Sequence, residues 1–167
     1  MKKMTEENLK QAFAGESQAH MKYLAFAERA ERDGLPSVAR LFKAASFAEQ
    51  CHAKAHLRVL NGIGTTAENL AAAIAGETFE VDEMYPAYEA VANLQEEKAA
   101  IRSIQRALDA EKVHAALYTR AKEAVEKGRD TEMGPVVVCS SCGWTGEGEA
   151  PDKCPLCGAP REKLVTF

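Results

Sequence analysis

The 167-residue sequence contains no run of 18 apolar residues, and its start turns polar directly after two lysines. A membrane-spanning helix needs about 20 apolar residues, and a secretory signal needs an apolar core near its start. Both features are missing from the sequence. We therefore expect a soluble, cytoplasmic protein that has no membrane partner.

Excess positive charge is also missing. The formal net charge is −4 at pH 7, and no segment forms a basic stripe. Proteins that bind nucleic acids present such a stripe to the phosphate backbone, so we expect no nucleic-acid partner. Hydrophobic residues make up 46% of the chain and charged residues 28%, a composition typical of a folded globular protein.

Disulfide bonds are not indicated, although the sequence has five cysteines. Four of them form two C-x-x-C pairs within 19 residues. In a reducing compartment this spacing is typical of a metal site. The four are Cys139, Cys142, Cys154 and Cys157. The fifth, Cys51, stands alone in a helical stretch and is predicted to be a buried, unreactive thiol.

Two segments of different composition follow one another. Residues 5 to about 127 are rich in Ala, Glu, Lys, Leu and Arg with a 3.6-residue apolar period, which predicts helices. After Gly128 the composition shifts to Gly, Pro, Cys and Val. We predict a helical domain over 1–130 and a small cysteine-containing domain over 135–167.

The helical segment contains an internal repeat. The motif Thr-x-Glu-Asn-Leu, followed by Gly-Glu, occurs at 5–16 and again at 66–77, an offset of 61. The motif Ala-Glu-x-x-His occurs at 48–52 and again at 110–114, an offset of 62. Each copy is expected to form one helical hairpin, over 5–61 and over 66–127, which makes four helices in total.

Local signals predict where these helices begin and end. Thr5 and Thr66 are the expected N-caps of the first and third helices. The Asp-Gly-Leu-Pro segment at 33–36 is expected to separate the first two helices. The Asn-Gly-Ile-Gly segment at 61–64 should end the second. Pro86 should kink or break the third helix, and the fourth should begin near Gln95.

The repeated Glu-x-x-His motif is a candidate for metal binding. Its two side chains share one helix face, and each of the other two helices supplies a Glu at a matching repeat position. This set is the di-iron or di-manganese pattern of four-helix bundles. The candidate ligands are Glu16, Glu49, His52, Glu77, Glu111 and His114.

A single Glu-x-x-His pair would indicate no more than a solvated helix face, but two copies at a repeat offset favour a metal site. Carboxylates that face one interior need cations, because uncompensated buried charge is destabilising. Glu80, one turn after Glu77, is a further carboxylate on the same face. Its counterpart in the first repeat is Ala19, so the predicted site is not fully symmetric.

The two C-x-x-C pairs are separated by 11 residues, and a glycine follows each second cysteine. Four thiolates at this spacing predict a tetrahedral zinc or iron site, and the glycines allow the tight turns that it needs. So short a segment should require the metal in order to fold. On the motif alone, a structural zinc ribbon and a redox-active iron site both remain open.

Taken in order along the chain, these motifs resemble the rubrerythrin family over nearly the whole sequence. The segments that carry the resemblance lie at 15–19, 49–52, 76–80 and 111–114 and in the two Cys-x-x-Cys-Gly segments. The resemblance implies an all-α four-helix ferritin-like bundle with a small C-terminal rubredoxin-like β module, similar to a zinc ribbon. It also favours iron over zinc at the four cysteines.

The resemblance further implies which ligands hold which ion of a di-iron pair. Glu49 and Glu111 would bridge the two iron ions. Glu16 would bind one ion, and Glu77 with His114 would bind the other.

Other residues acquire expected roles from the same resemblance. Glu80 and His52 would exchange as ligands of one iron when the redox state changes, and both are candidates to handle protons in catalysis. Tyr23 is similar to a tyrosine that lies near the metal site in this family, although an ordinary core aromatic also fits its position.

The implied reaction is the two-electron reduction of hydrogen peroxide to water, in defence against oxidative stress. Electrons would arrive through the C-terminal iron from an upstream reductase or a rubredoxin. Two alternatives remain open at this point. One is a ferroxidase or iron-handling protein built on the same bundle, and the other is a non-enzymatic metal-binding protein with a structural zinc ribbon.

The short link between the two hairpins predicts an oligomer. In a ferritin-like bundle the second and third helices run parallel, so a long crossover must join them. With about 11 residues of helix after Glu49 and before Glu77, the ends to be joined lie roughly 33 Å apart. Residues 62–65 span at most about 15–18 Å. We therefore predict a domain-swapped homodimer in which the two hairpins of one chain belong to different bundles.

Overall fold

The computed structural model describes residues 1–167 and is mostly helical. Its five α-helices are α1 (Lys3–Arg32), α2 (Pro36–Val59), α3 (Thr66–Phe79), α4 (Tyr85–Leu94) and α5 (Lys98–Glu126). Three short strands follow, namely β1 (Val136–Cys139), β2 (Thr145–Glu147) and β3 (Leu164–Thr166). No helix is both long enough and apolar enough to cross a lipid bilayer. The predicted fold class, helical with a small C-terminal β module, is confirmed.

The turns between helices follow from glycine, proline and capping residues. Gly34, in the turn before α2, has φ of 73°, a left-handed conformation that glycine adopts without strain. Thr65 caps α3, because its hydroxyl accepts from the Glu68 N–H at 3.3 Å. The predicted caps were misplaced: Thr5 lies inside α1, and Thr66 is the first residue of α3.

The third helix changes its winding just before Pro86. Pro86 has no N–H to donate to the carbonyl of Asp82, and its ring would crowd that carbonyl in an α-helix. A π-helical turn, Glu80–Met84, joins α3 to α4 and relieves this conflict. Within it the Tyr85 N–H donates to the carbonyl of Glu80, five residues earlier. The predicted interruption at Pro86 is confirmed, and it divides the third predicted helix into α3 and α4.

The π turn also accounts for the change in repeat offset. A π turn accommodates one residue more than the α-helical turn it replaces. The offset between the repeats is 61 up to Glu77 and 62 at Glu111. Tyr23 and Tyr85, just after the turn, already correspond at an offset of 62. The extra residue of the second repeat therefore lies in the π turn.

The chain divides into two compact units, and the first, Met1–Gly64, is the α1–α2 hairpin. Its buried residues are small, which allows the two helices to approach closely: Ala27, Ala30, Ala39, Ser46 and Ala53. The Ser46 hydroxyl, 1% exposed, donates to the His20 carbonyl at 3.0 Å.

The second unit, Thr65–Phe167, contains the second hairpin and the cysteine module (residues 135–167). Helices α3 and α4 pack against α5, with Ala92 and Ala110 buried. In the module β1 lies between β2 and β3 in an antiparallel sheet, and β2 contacts α5. The predicted domain boundary at 130–135 marks a change in composition, whereas the two compact units meet at Gly64 and Thr65. This domain boundary stays a prediction.

Candidate metal centres

The first unit brings together one predicted carboxylate–histidine set. Glu16 comes from α1, and Glu49 and His52 come from one face of α2. Their candidate ligand atoms all lie within 4.8 Å of one another. His52 Nδ1 lies 2.9 Å from a Glu49 carboxylate oxygen and 3.9 Å from one of Glu16. We call these three residues the first half-site.

The second unit repeats this arrangement closely. Glu77 comes from α3, and Glu111 and His114 come from α5, again within 4.8 Å of one another. His114 Nδ1 lies 2.7 Å from Glu111 and 3.9 Å from Glu77. These three residues form the second half-site. In both half-sites the same ring nitrogen points towards two carboxylates, as a shared cation would require.

The two half-sites differ in burial. The Glu77 side chain is 17% exposed and that of Glu16 is 33% exposed. Burial raises the pKa of Glu77 to about 7, and a hydrogen bond with Glu111 and the charges of Glu111 and Glu80 add to the shift. A bound cation would remove this penalty, because it favours the ionised form. The donor set of the second half-site therefore fits a metal ion.

The two histidines also differ in what holds the far side of the ring. His114 Nε2 lies 2.8 Å from the hydroxyl of Thr145 on β2, whereas His52 Nε2 makes no hydrogen bond. The His114 side chain is 29% exposed and that of His52 is 57% exposed. Histidine ligands of metals are commonly oriented by such an outer hydrogen bond. His114 is therefore held at both ring nitrogens, whereas His52 is held at Nδ1 alone.

Glu80, the predicted exchanging ligand, lies in the π turn after α3. Its carboxylate is not among the groups that lie within 4.8 Å of one another in the second half-site. Burial raises the pKa of Glu80, the charge of Glu111 raises it further, and the charge of His114 opposes the shift. Glu80 is therefore close enough to the second half-site to interact with it electrostatically.

Tyr85 is a residue that the sequence reasoning missed. Burial raises the pKa of its hydroxyl, and the charges of Glu80, Glu111 and Glu77 raise it further, so it lies beside the second half-site. The repeat itself could have identified this residue, since Tyr85 is the counterpart of Tyr23.

Tyr23 and Cys51, both in the first unit, do not belong to the first half-site. The Tyr23 ring packs against Phe26 and Phe42, with centroids 6.2 and 6.1 Å away, and its hydroxyl makes no hydrogen bond. It lies in an aromatic cluster between α1 and α2. Cys51 is exposed on α2, so the prediction of a buried thiol was wrong.

The four predicted cysteines come together in the second unit. Their sulfurs all lie within 4.8 Å of one another, with Cys139 to Cys157 at 3.7 Å and Cys142 to Cys154 at 3.6 Å. These separations are too long for disulfide bonds. A tetrahedral ion with metal–sulfur bonds of about 2.3 Å holds its sulfurs about 3.8 Å apart. The donor set therefore fits a tetrahedral metal ion.

The backbone of the cysteine module explains how the sulfurs converge. Gly143 and Gly158 have φ of 80° and 73°, the left-handed conformation that each turn requires. Their N–H groups donate to the carbonyls of Cys139 and Cys154, both at 2.9 Å. The predicted reason for a glycine after each second cysteine is therefore correct.

The thiols of the module do not ionise independently. Burial opposes ionisation of Cys139, but the Ser141 and Cys142 N–H groups and the neighbouring thiols lower its pKa to about 7. Burial, together with the other thiols, raises the pKa of Cys142 to about 12 against a backbone hydrogen bond from Trp144. In the metal-free module, ionisation of Cys139 is favoured and ionisation of Cys142 is opposed. A cation is what allows several thiolates to coexist here.

Comparison with known proteins gives the family. The family model described as Rubrerythrin matches residues 7–122, and the model described as Rubrerythrin, rubredoxin-like domain matches residues 138–164. Rubrerythrin-2 of Clostridium acetobutylicum is 39% identical, over 98% of this chain and 97% of its own length. The chain belongs to the rubrerythrin family.

Other rubrerythrin relatives agree with this assignment. Nigerythrin of Nitratidesulfovibrio vulgaris is 33% identical, over 98% of this chain and 86% of its own. A solved structure of nigerythrin in its fully reduced, all-ferrous state matches with a TM-score of 0.56 and 32% identity over 98% of this chain and 86% of that one. The predicted ferritin-like fold with a rubredoxin-like module is confirmed.

Proposed function

We propose that this protein is a non-haem di-iron peroxidase that reduces hydrogen peroxide to water in defence against oxidative stress. Its electrons come from an upstream reductase or rubredoxin through iron in the cysteine module. The observation that carries the proposal is the presence, in one chain, of two carboxylate–histidine half-sites and a four-sulfur site. The half-sites suit a two-metal centre, and the sulfur site suits a one-electron carrier.

The proposed ligands follow from the donor sets. The iron pair would be held by Glu16, Glu49, His52, Glu77, Glu80, Glu111 and His114, and a single iron by the four cysteines. When bound, the iron pair supplies the two electrons that break the peroxide bond, and the single iron returns electrons one at a time. Nigerythrin structures described as all-ferrous and as mixed-valence support iron rather than another metal.

We propose that each iron pair lies between two chains. Glu49 is 10 residues before the end of α2, and Glu77 is 11 residues after the start of α3. If α2 and α3 ran parallel with Glu49 and Glu77 at the same height, the end of α2 and the start of α3 would lie about 32 Å apart, at ~1.5 Å per residue. The seven residue steps from Val59 to Thr66 reach at most about 25 Å. The first half-site of one chain would therefore complete the second half-site of its partner.

The face of α2 that carries His52 supports this domain-swapped dimer. Val38, Leu41, Ala45 and His52 follow helical spacing, so they share one face of the helix. Val38 is 40% exposed and Leu41 is 68% exposed. An apolar helix face beside a half-site is suited to burial against the helices that carry the other half-site.

The residues proposed for proton handling are Glu80 and His52. Reduction of hydrogen peroxide to two waters consumes two electrons and two protons. The raised pKa of Glu80 favours a carboxyl group that holds a proton for delivery. His52 has a free Nε2 and an exposed ring, which supports its role as the ligand that exchanges with Glu80. His114, held by Thr145, would stay bound throughout.

Anaerobic stopped-flow absorbance tests the proposal. The fully reduced, iron-loaded protein is mixed with stoichiometric hydrogen peroxide, and separately with oxygen. We expect rapid oxidation of the helical iron by peroxide, followed by growth of the absorbance of oxidised iron in the cysteine module. Glu111→Gln should abolish the fast phase. Glu28→Gln, a change at an exposed α1 carboxylate outside both half-sites, should leave it unchanged.

Other results would favour one of the two alternatives. Faster oxidation by oxygen than by peroxide would indicate a ferroxidase. Colourless zinc in the cysteine module of protein purified from its native source would indicate a metal-binding protein with a structural ribbon. Either result would overturn the peroxidase proposal.

A further inference from the structure

We propose that Thr145 couples the two kinds of metal centre within one chain. Its hydroxyl positions His114, so that a metal ion bound by the cysteine module raises the affinity of the second half-site for its own metal ion. Thr145 is thus a positioning residue that acts through His114. The inference rests on the proposed metal binding and does not require peroxidase activity.

The hydrogen bonds of Thr145 select one form of the His114 ring. Thr145 is only 4% exposed, and its hydroxyl lies 2.8 Å from His114 Nε2 and 3.1 Å from the carbonyl of Gly143. A hydroxyl has one proton, and the Gly143 carbonyl can only accept. The hydroxyl therefore donates to Gly143 and accepts from Nε2–H. This leaves the lone pair on Nδ1, the nitrogen that faces Glu111 and Glu77.

The position of Thr145 depends in turn on the cysteines. Only Gly143 and Trp144 separate it from Cys142. The Cys139 N–H donates to the Trp144 carbonyl at 2.8 Å, and Val138 pairs with Thr145 across β1 and β2. A metal ion that holds Cys139 and Cys142 together therefore fixes both ends of the turn that leads into Thr145. Without the ion, the thiols lose the restraint that defines this turn.

A second contact keeps β2 against α5. Arg120 on α5 forms an ion pair with Glu147, two residues after Thr145, and the Gly134 N–H donates to the same carboxylate at 2.8 Å. Thr145 therefore approaches His114 as part of a docked strand rather than as an isolated side chain. The first half-site has no equivalent, because His52 Nε2 makes no hydrogen bond. The coupling acts on the second half-site alone.

Thermodynamic linkage makes this proposal measurable without turnover. If the metal ion in the module strengthens binding at the helical site, then both affinities must change by the same factor. Loss of the outer hydrogen bond of a histidine ligand typically weakens metal binding 10-fold to 100-fold. We expect a factor of about 10, since the carboxylates of the second half-site remain in place.

The test is a cobalt titration of the full-length protein with zinc already in the cysteine module. Zinc keeps the sulfur site, because it binds more tightly than cobalt. Thr145→Val removes the hydroxyl but keeps the shape of the side chain, and it should weaken cobalt binding at the helical site about 10-fold. Thr145→Ser keeps the hydroxyl and should restore the wild-type affinity. One zinc per chain in each variant verifies that the module is folded.

Cys157→Ser removes one of the four sulfur ligands without changing the sequence around Thr145, and elemental analysis verifies that the module then holds no metal. Cobalt affinity at the helical site should fall about 10-fold in this variant, and Thr145→Val added to it should cause no further loss. Equal losses from Thr145→Val with and without the module metal would overturn the coupling. Unchanged affinity in Thr145→Val would overturn the role of Thr145 itself. Slow peroxide reduction with the coupling intact would refute only the proposed peroxidase function.

Discussion

Glu77 is predicted to destabilise the metal-free protein at neutral and alkaline pH. Its pKa is raised from 4.5 to about 7 by burial and by its carboxylate neighbours. At about 1.4 kcal/mol per pKa unit, ionisation of Glu77 above pH 7 costs the fold at most about 3.5 kcal/mol. Because the side chain is 17% exposed, water reduces this cost, and we expect about 2 kcal/mol.

The direction of the pH dependence follows from the raised pKa. A carboxyl group that binds its proton more tightly in the folded state stabilises the fold below its unfolded pKa. That stability is lost as the pH rises from 4.5 to about 7. Glu77→Gln, which cannot ionise, should therefore gain about 2 kcal/mol over the wild type at pH 8 and almost nothing at pH 4.5. Urea unfolding of both metal-free proteins at the two pH values measures the gain.

Two controls make this result specific to the second half-site. Glu16→Gln changes the equivalent residue of the first half-site, whose side chain is 33% exposed, and it should not reproduce the gain seen for Glu77→Gln at pH 8. With metal bound, the sign should reverse, because Glu77→Gln removes a ligand and with it the stabilisation from metal binding. No gain at pH 8, or an equal gain at both pH values, would refute the reasoning.

Three further predictions concern the metal sites and the dimer. Cobalt binding at the second half-site should tighten as the pH rises towards about 7 and then level off, because Glu77 must lose its proton before it can bind the metal ion. A cobalt affinity that stays constant from pH 5.5 to 8.5 would contradict this prediction. Cys142→Ser should lose one metal ion per chain by elemental analysis while helical circular dichroism persists, and a full metal complement would count against the four-sulfur site. Leu41, 68% exposed, lies on the apolar face of α2, and Leu41→Glu places a charge there. Sedimentation equilibrium should then show monomers. An intact dimer would exclude this face of α2 as the interface.

The sequence was sufficient to predict a helical fold with a small C-terminal β module, and its motifs singled out two kinds of donor set. Glu-x-x-His spacing places two ligands on one helix face whatever the rest of the fold does, and the repeat supplies the matching carboxylate. The spacing of the four cysteines is equally local. These predictions depended on short-range geometry, and the structure places each Glu-x-x-His pair beside its matching carboxylate and the four cysteines beside one another, while Glu80 lies outside these groups.

The features that the sequence did not predict depend on contacts between distant segments or on single backbone turns. Thr145 is 31 residues from His114, and nothing in its neighbourhood indicates that β2 docks on α5. Thr65 and Thr66 are adjacent, and either could cap α3 by residue type. Thr65 is the cap because it and Glu68 each form a hydrogen bond to the backbone N–H of the other. Cys51 was predicted to be buried because free cysteines are usually buried, whereas its position on the outside of α2 makes it exposed.

The π turn before Pro86 has a consequence for how such a chain can evolve. An extra residue in an α-helix rotates every later side chain by about 100°, which would turn an inherited packing face away from its neighbours. Here the rotation is absorbed within Glu80–Met84, so that Tyr85 corresponds to Tyr23 despite the insertion. We infer that a duplicated hairpin could acquire one residue, with a new carboxylate beside it, while the ancestral packing survived on both sides. The two halves of the chain could thus diverge in chemistry at a single turn.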